Sequence, residues 1–508
     1  MSVRPSHEVS VAAPGQTRLN CFNQWCATRE VWLAVAGIGF FFLLNLSIAS
    51  RSPFGGWMDE TFEVDPALNL ADGKGWTSTA WFYQTDREFW AQNSPLYPAA
   101  LVGWVRVFGG SLVATRAYCY FLGALGTFLF WLAAFRLKLL RPSLRLFWIA
   151  LLSLEYSTNW MMRNQRYDVW IFVGLGIALL GASLVRPASR HGLIFLGCFL
   201  GPLAGFISLP YLATLAVFLI LIAGFSRWKE AATILLGAGC GLVAVLAFYA
   251  WHGQLETFLH MVKNLSAAGT TPAPAEKLRI FIYPAEDGGL ILMLIALLLL
   301  TIFGNSNQPA ARRRWLRLGW GIVLVMPCLM LARTKFPLHY FYMVVIPLSL
   351  SVLALLAVDA PARRPRLVSA AVIILLGVAC LGGLPARLFT SLKEWNLRDP
   401  RHLHDFVHRH LGPDDCVVAD SKFYFELRGQ VRFSATTLYL WAIPPDEAAK
   451  INVVLLPTDD FPDVTRDASK LQSVGGGWKK IAVFPTEEMQ SNFPNWAHAT
   501  PEYVLYRR

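Results

Sequence analysis

The chain has 508 residues, 55% of them hydrophobic and only 15% charged, with a formal net charge of +12 and a mean hydropathy of +0.43. Soluble domains carry about a quarter charged residues, so this composition excludes an ordinary soluble enzyme. The basic residues sit in short clusters between apolar runs rather than in one domain or stripe, which excludes a nucleic-acid-binding module.

Residues 1–30 are polar, and Val31–Ser50 is the first apolar run. That run is too long for a signal-peptide core and follows a long polar leader, so it reads as an uncleaved span with a cytoplasmic N-terminal segment before it. Further runs follow at 112–135, 144–161, 169–185, 191–207, 209–225, 231–250, 288–304, 315–332, 337–358 and 366–384, eleven in all. Each approaches the length needed to cross a hydrocarbon core about 30 Å thick. Pro95–Phe108 is shorter, opens with proline and carries Arg106, which suits an interfacial or re-entrant helix.

Charge tests this assignment. With 95–108 left out, the even-numbered gaps hold Arg136, Lys138, Arg141 and Arg145, then Arg186 and Arg190, Arg227 and Lys229, Arg312–Arg314 with Arg317, and Arg363, Arg364 and Arg366. Short basic loops mark the cytoplasmic side. The opposite face then receives the 51–94 loop, the 251–287 loop and the tail from about 385. The tail alternates a helical stretch, Asp399–Leu411, with β-rich runs at Cys416–Ala419, Val453–Leu456, Ile481–Phe484 and Tyr503–Tyr506. The expected architecture is an all-α polytopic membrane bundle (31–384) with interfacial helices in the first outer loop (51–111), plus a small α/β extracytoplasmic domain (385–508).

The 51–94 loop carries seven carboxylates: Asp59, Glu60, Glu63, Asp65, Asp72, Asp86 and Glu88. Asp59-Glu60 follows directly on the first span. Adjacent carboxylates at a membrane surface can supply a general base and a hydrogen-bond or metal partner, and the same pair also fits a solvated acidic loop. Within the spans charge is almost absent, Glu155 being the conspicuous exception. His404 and His408 stand four residues apart, and the surrounding segment reads as an amphipathic helix with a solvated polar face ahead of a metal site. His252 and His260 fall in the 251–287 loop, where a structural or solvated role is the simpler reading. Gly475–Gly477 has no following Lys-Ser/Thr and reads as a turn.

Five elements in order give a resemblance. Asp59-Glu60 with Ala67-Leu68-Asn69-Leu70 and Gly73-Lys74-Gly75-Trp76 resembles the first outer loop of GT-C fold glycosyltransferases, in the branch of protein O-mannosyltransferases and aminoarabinose lipid A transferases. Asn93-Ser94-Pro95-Leu96-Tyr97-Pro98 resembles that family's juxtamembrane helix. Arg116 with Gly123 and Gly126, Arg163-Asn164-Gln165-Arg166-Tyr167-Asp168, and Lys335-Phe336-Pro337-Leu338-His339-Tyr340 resemble its later elements. The resemblance implies a bacterial inner-membrane glycosyltransferase that moves a sugar from a polyprenyl-phosphate donor to a lipid, glycan or protein acceptor. It implies Asp59 as catalytic base with Glu60 in support, and Arg163, Arg166 and Lys335 on the carrier's phosphate. Asp168, Tyr97, Arg116, His339 and Tyr340 take supporting places. Some relatives draw a second carboxylate from the first loop, sometimes as a ligand of a divalent metal, and Asp86 or Glu88 is the nearest candidate here. A secondary transporter or flippase, and a non-catalytic partner in envelope assembly, are the competing expectations.

Overall fold

A computed structural model describes residues 14–52, 58–81, 83–92, 94–184, 200–207, 228–267, 288–304, 308–332, 341–358, 365–396, 398–457, 477–484 and 502–508. Some side chains within the described helices, including that of Asp59, lie outside the description.

Helix α1 (Pro14–Ala49) runs 36 residues without interruption. The helix therefore begins inside the segment expected as a polar leader. At 1.5 Å per residue it is about 54 Å long, well beyond the hydrocarbon thickness. Helices α2 (Met58–Ala71) and α3 (Leu96–Phe108) belong to the first loop, and α4 (Leu112–Arg136) is the next long apolar helix. Among the described residues, Gln24–Ala49 and Leu112–Arg136 are long and apolar enough to cross a membrane. A third span results if Leu367–Ala379 and Leu384–Lys393, bent by 43°, are taken together. The other apolar helices are shorter, and the 191–207 and 209–225 runs lie largely outside the described residues. The count of eleven spans thus rests on the sequence.

Two expected boundaries change. The 144–161 run is two helices, α5 (Pro142–Leu154) and α6 (Tyr156–Arg163), separated at Glu155. The Glu155 carboxylate accepts hydrogen bonds from Ser157 N at 3.0 Å, Ser157 Oγ at 2.9 Å, Thr158 N at 3.0 Å and Thr158 Oγ1 at 3.1 Å. It caps the new helix by satisfying N–H groups that would otherwise be orphaned. The tail domain also begins later than 385, because Leu384–Lys393 is a bundle helix packed on α1 and α5. Gly383 allows that approach: a Cβ there would lie 2.0 Å from the Leu154 carbonyl oxygen and 2.7 Å from Tyr156 N.

Small residues bring the bundle's centre together. A Cβ on Gly126 would meet the Phe172 ring at 2.3 Å, and one on Gly176 would meet Leu129 at 2.9 Å, so α4 lies close against α7 (Asp168–Leu184). Towards the other end, Arg145 grips Glu30 through Nε and Nη2, both at 2.6 Å, with both residues buried.

The tail holds a five-stranded sheet in the order β2-β1-β3-β5-β4, from Cys416–Ala419 (β1), Phe433–Thr436 (β2), Val453–Pro457 (β3), Lys479–Phe484 (β4) and Tyr503–Arg507 (β5). β1 pairs in parallel with β2 and β3, whereas β5 runs antiparallel to β3 and β4. Helix Pro400–His410, capped by Asp399, buries Leu403, Phe406 and Val407 against the sheet.

Candidate active site

Helix α2 buries nearly its whole described length. Glu60, Glu63 and Asp65 are 0–2% exposed, so the solvated acidic loop does not describe this segment. Each carboxylate has its own partners. Glu63 accepts from Ser94 Oγ at 2.8 Å. Asp65 accepts from Ser78 Oγ at 2.8 Å, Thr79 N at 2.7 Å, Arg428 Nη1 at 3.2 Å and the Tyr424 hydroxyl. Burial first, then the charge of Asp65, hold the Tyr424 phenol well above its usual value, so it stays a donor.

Glu60 lies at the centre of the candidate site. Its Oε2 is 3.9 Å from Arg116 Nη2 and accepts from Gln165 Nε2 at 3.4 Å. Arg116 is itself buried on α4 and donates Nη1 to the Ser52 carbonyl at 2.5 Å, tying α4 to the end of α1. Asp59 occupies the second position of α2, one residue before Glu60.

The α6–α7 turn supplies the cations. Arg163 ends α6 with its guanidinium stacked over Trp160, 4.0 Å from the ring centroid. It stands just beyond the 144–161 run, where burial, followed by the nearby Arg387 charge, pushes it down to about 10. It is still a cation at neutral pH. Arg166 Nε pairs with Asp168 Oδ2 at 3.0 Å, and both side chains are buried. Asp168 thereby orients Arg166 at the start of α7, where a carboxylate also complements the helix dipole.

The other expected residues distribute as follows. Tyr97 is buried on α3 with its hydroxyl 3.2 Å from Cys119 Sγ. Lys335, His339 and Tyr340 lie outside the described residues. Asp86 is turned towards the tail, accepting from the Tyr439 hydroxyl at 3.1 Å, while Arg87 pairs with Asp446 and Glu447, each at 2.8 Å. Glu88 caps its own turn through Thr85 N at 2.7 Å and Thr85 Oγ1 at 2.9 Å. His252 stacks on Phe89 with ring centroids 4.3 Å apart, fastening the first loop to helix Trp228–Trp251. His404 lies 3.2 Å from Glu426, and among the described residues no group of three His, Cys, Asp or Glu is placed to hold a metal ion.

One residue escaped the sequence reading altogether. Arg387, on Leu384–Lys393, donates Nη1 to Asn45 Oδ1 at 3.1 Å and Asn159 Oδ1 at 2.6 Å, and Nη2 to the Tyr120 hydroxyl at 3.2 Å. Asn159 lies one helical turn before Arg163, so both point from the same face of α6. The signal was Gly382-Gly383-Leu384-Pro385, a helix stop followed by a restart that places the next turn against the bundle.

Two solved structures share this arrangement of elements. ArnT from Cupriavidus metallidurans, in a crystal structure with undecaprenyl phosphate bound, superposes with a TM-score of 0.57 at 11% identity, covering 93% of this chain and 97% of that one. Its apo structure gives 0.54 at 14% identity, with coverage of 94% and 98%. The chain has a GT-C glycosyltransferase fold. No protein-family model matches the sequence, and no curated protein matches it at a significant level. In a GT-C fold, helix α2 is the first loop expected from the sequence, and the Glu60–Arg116–Gln165 contacts lie at its junction with α4 and the α6–α7 turn.

Proposed function

We propose that this chain is a bacterial inner-membrane glycosyltransferase. It moves a sugar from a polyprenyl-phosphate donor to a hydroxyl of a lipid, glycan or protein acceptor on the outer face of the membrane. The reading is carried by one observation: a buried carboxylate, Glu60, held by Arg116 and Gln165 next to the arginines of the α6–α7 turn, within a GT-C fold. Eleven spans, a cytoplasmic N-terminus and an extracytoplasmic tail complete the proposed topology.

The chemistry is a single inverting displacement. Asp59 takes the proton of the acceptor hydroxyl as its oxygen bonds to the anomeric carbon and the bond from that carbon to the phosphate oxygen breaks. Glu60 fixes the start of α2 through Arg116, one residue after Asp59. Arg163, Arg166 and Lys335 neutralise the charge that grows on the departing phosphate, and guanidinium groups match its oxygens in pairs.

The test compares purified wild type with Asp59→Asn and Glu60→Gln, using a panel of polyprenyl-phosphate sugars and total envelope lipid as acceptor. Loss of a positioned general base costs about 10²–10⁴-fold in rate, so transfer by wild type and a loss of that order in Asp59→Asn is expected. Undiminished transfer by Asp59→Asn removes the active site from the first loop. Wild type that transfers from no donor in the panel overturns the enzyme reading.

A further inference from the structure

Arg387 is a half-buried guanidinium whose described partners are all neutral: Asn45 Oδ1, Asn159 Oδ1 and the Tyr120 hydroxyl. Those three partners are themselves buried. Among the described residues no carboxylate pairs with it, whereas Arg145, Arg166, Arg401, Arg428 and Arg507 each have one. A crosslink between two amides and a phenol needs no formal charge, and a cation withdrawn from water without a counter-charge is costly. Among the described residues, these bonds also occupy only three of the five N–H groups of the guanidinium. Both facts describe a guanidinium able to bind an anion.

Its surroundings say where that anion would sit. Asn159 and Arg163 lie one turn apart on α6, Tyr120 lies one turn beyond Arg116 on α4, and Gly383 sets the helix of Arg387 against the α5–α6 break. Arg163 thus links the Arg387 network to Glu60 at the start of α2, since the charges of both reach its guanidinium.

We propose that Arg387 is a ligand of the lipid carrier's phosphate, acting together with Arg163 at the outer end of the bundle. This rests on the transfer reading above. Asn45, Asn159 and Tyr120 hold the guanidinium plane, leaving the remaining N–H groups for phosphate oxygens. The last helix of the membrane bundle, not only the loops near the first carboxylates, then shapes the donor site.

The test measures binding, not turnover. Quenching of intrinsic tryptophan fluorescence reports the affinity of detergent-purified protein for undecaprenyl phosphate and, separately, for undecaprenol. Arg387→Met is expected to weaken the phosphate about tenfold or more while leaving the alcohol unchanged, since only the charge-assisted contact is removed. Asn159→Asp keeps Arg387 but gives it an internal carboxylate. It is expected to weaken the phosphate similarly, and it decides the matter if Arg387→Met fails to fold. Wild-type affinity for the phosphate in a folded Arg387→Met, or in Asn159→Asp, overturns the assignment. A wild type that does not prefer the phosphate to the alcohol overturns the transfer reading, and the assignment falls with it.

Discussion

Helix α2 carries the proposed base at its start and is gripped at its other end by the tail. Arg428 spans Asp65 at 3.2 Å, Asn69 at 3.0 Å and Asp72 at 2.7 Å, and also donates to the Tyr424 hydroxyl at 2.7 Å. Substituting Arg428→Met removes all four contacts while keeping an apolar stem. Breaking a buried ion pair from one side costs about 3–5 kcal/mol. Here Asp65 keeps Ser78, Thr79 and Tyr424, Arg428 is 18% exposed and Asp72 is 50% exposed. The cost therefore falls below that range, at about 2–3 kcal/mol of docking free energy. At 1.4 kcal/mol per tenfold, this corresponds to about 30–140-fold faster exchange of the α2 amides through undocking. Hydrogen–deuterium exchange with peptide resolution over 58–71 and 421–428 reads it directly. Transfer should slow while undecaprenyl phosphate binding holds, because the phosphate contacts do not come from α2. Unchanged protection of both peptides in Arg428→Met would refute the idea that the tail positions α2.

Gly383→Ala drives a methyl into the backbone of the α5–α6 break, which cannot rotate aside as a side chain would; overpacking of this kind costs about 1–3 kcal/mol. A lower melting temperature in detergent and weaker undecaprenyl phosphate binding are expected together, and an unchanged melting temperature would refute the close approach. Asp399 is held well below its usual value by the Arg401 side chain first, with the Arg401 backbone N–H and Arg51 adding to the effect. Its folded state therefore binds fewer protons than the unfolded one, and its contribution is present above the ordinary Asp value and lost as pH falls through the depressed one. Asp399→Asn should destabilise the protein at neutral pH, with the gap from wild type closing in acid melts between those two values; a gap independent of pH would exclude the charge as its cause.

Much of the tail was legible because its strands are short runs of β-branched and aromatic residues between turn signals, and four of the five lie where those runs are. β2 was not. Phe433-Ser434-Ala435-Thr436 has little β propensity of its own and becomes a strand by pairing with β1, with Thr436 N also donating to Thr79 O at 3.2 Å. The broken 144–161 run was hidden for the opposite reason: its apolar composition is continuous, and only Glu155 followed by Ser157-Thr158 marks a cap. Arg387 is not legible because the hydropathy signal ends at 384, while packing carries the helix on to Lys393. Composition reports which residues avoid water; it does not report which polar side chains a neighbouring helix has made room for.

That distinction bears on the competing transporter reading. Ionisable groups within a bundle mark a transport path when they are exchangeable, facing a cavity or a partner that can be swapped for a substrate. Among the described residues, Glu155 and Glu30 are not of that kind. Glu155 is consumed by the first turn of α6, and Glu30 is held by both ends of the Arg145 guanidinium with Trp131 Nε1 at 3.0 Å as well. Removing either partner breaks a helix cap or a buried ion pair, so neither can take and release a substrate without structural loss. Other buried polar contacts are instead gathered between α2, α4 and the α6–α7 turn, and between α6 and Leu384–Lys393. There Arg116 and Gln165 hold Glu60, and the described partners of Arg387 are neutral, an arrangement that supports the proposed grip on a phosphate over a path for a transported substrate.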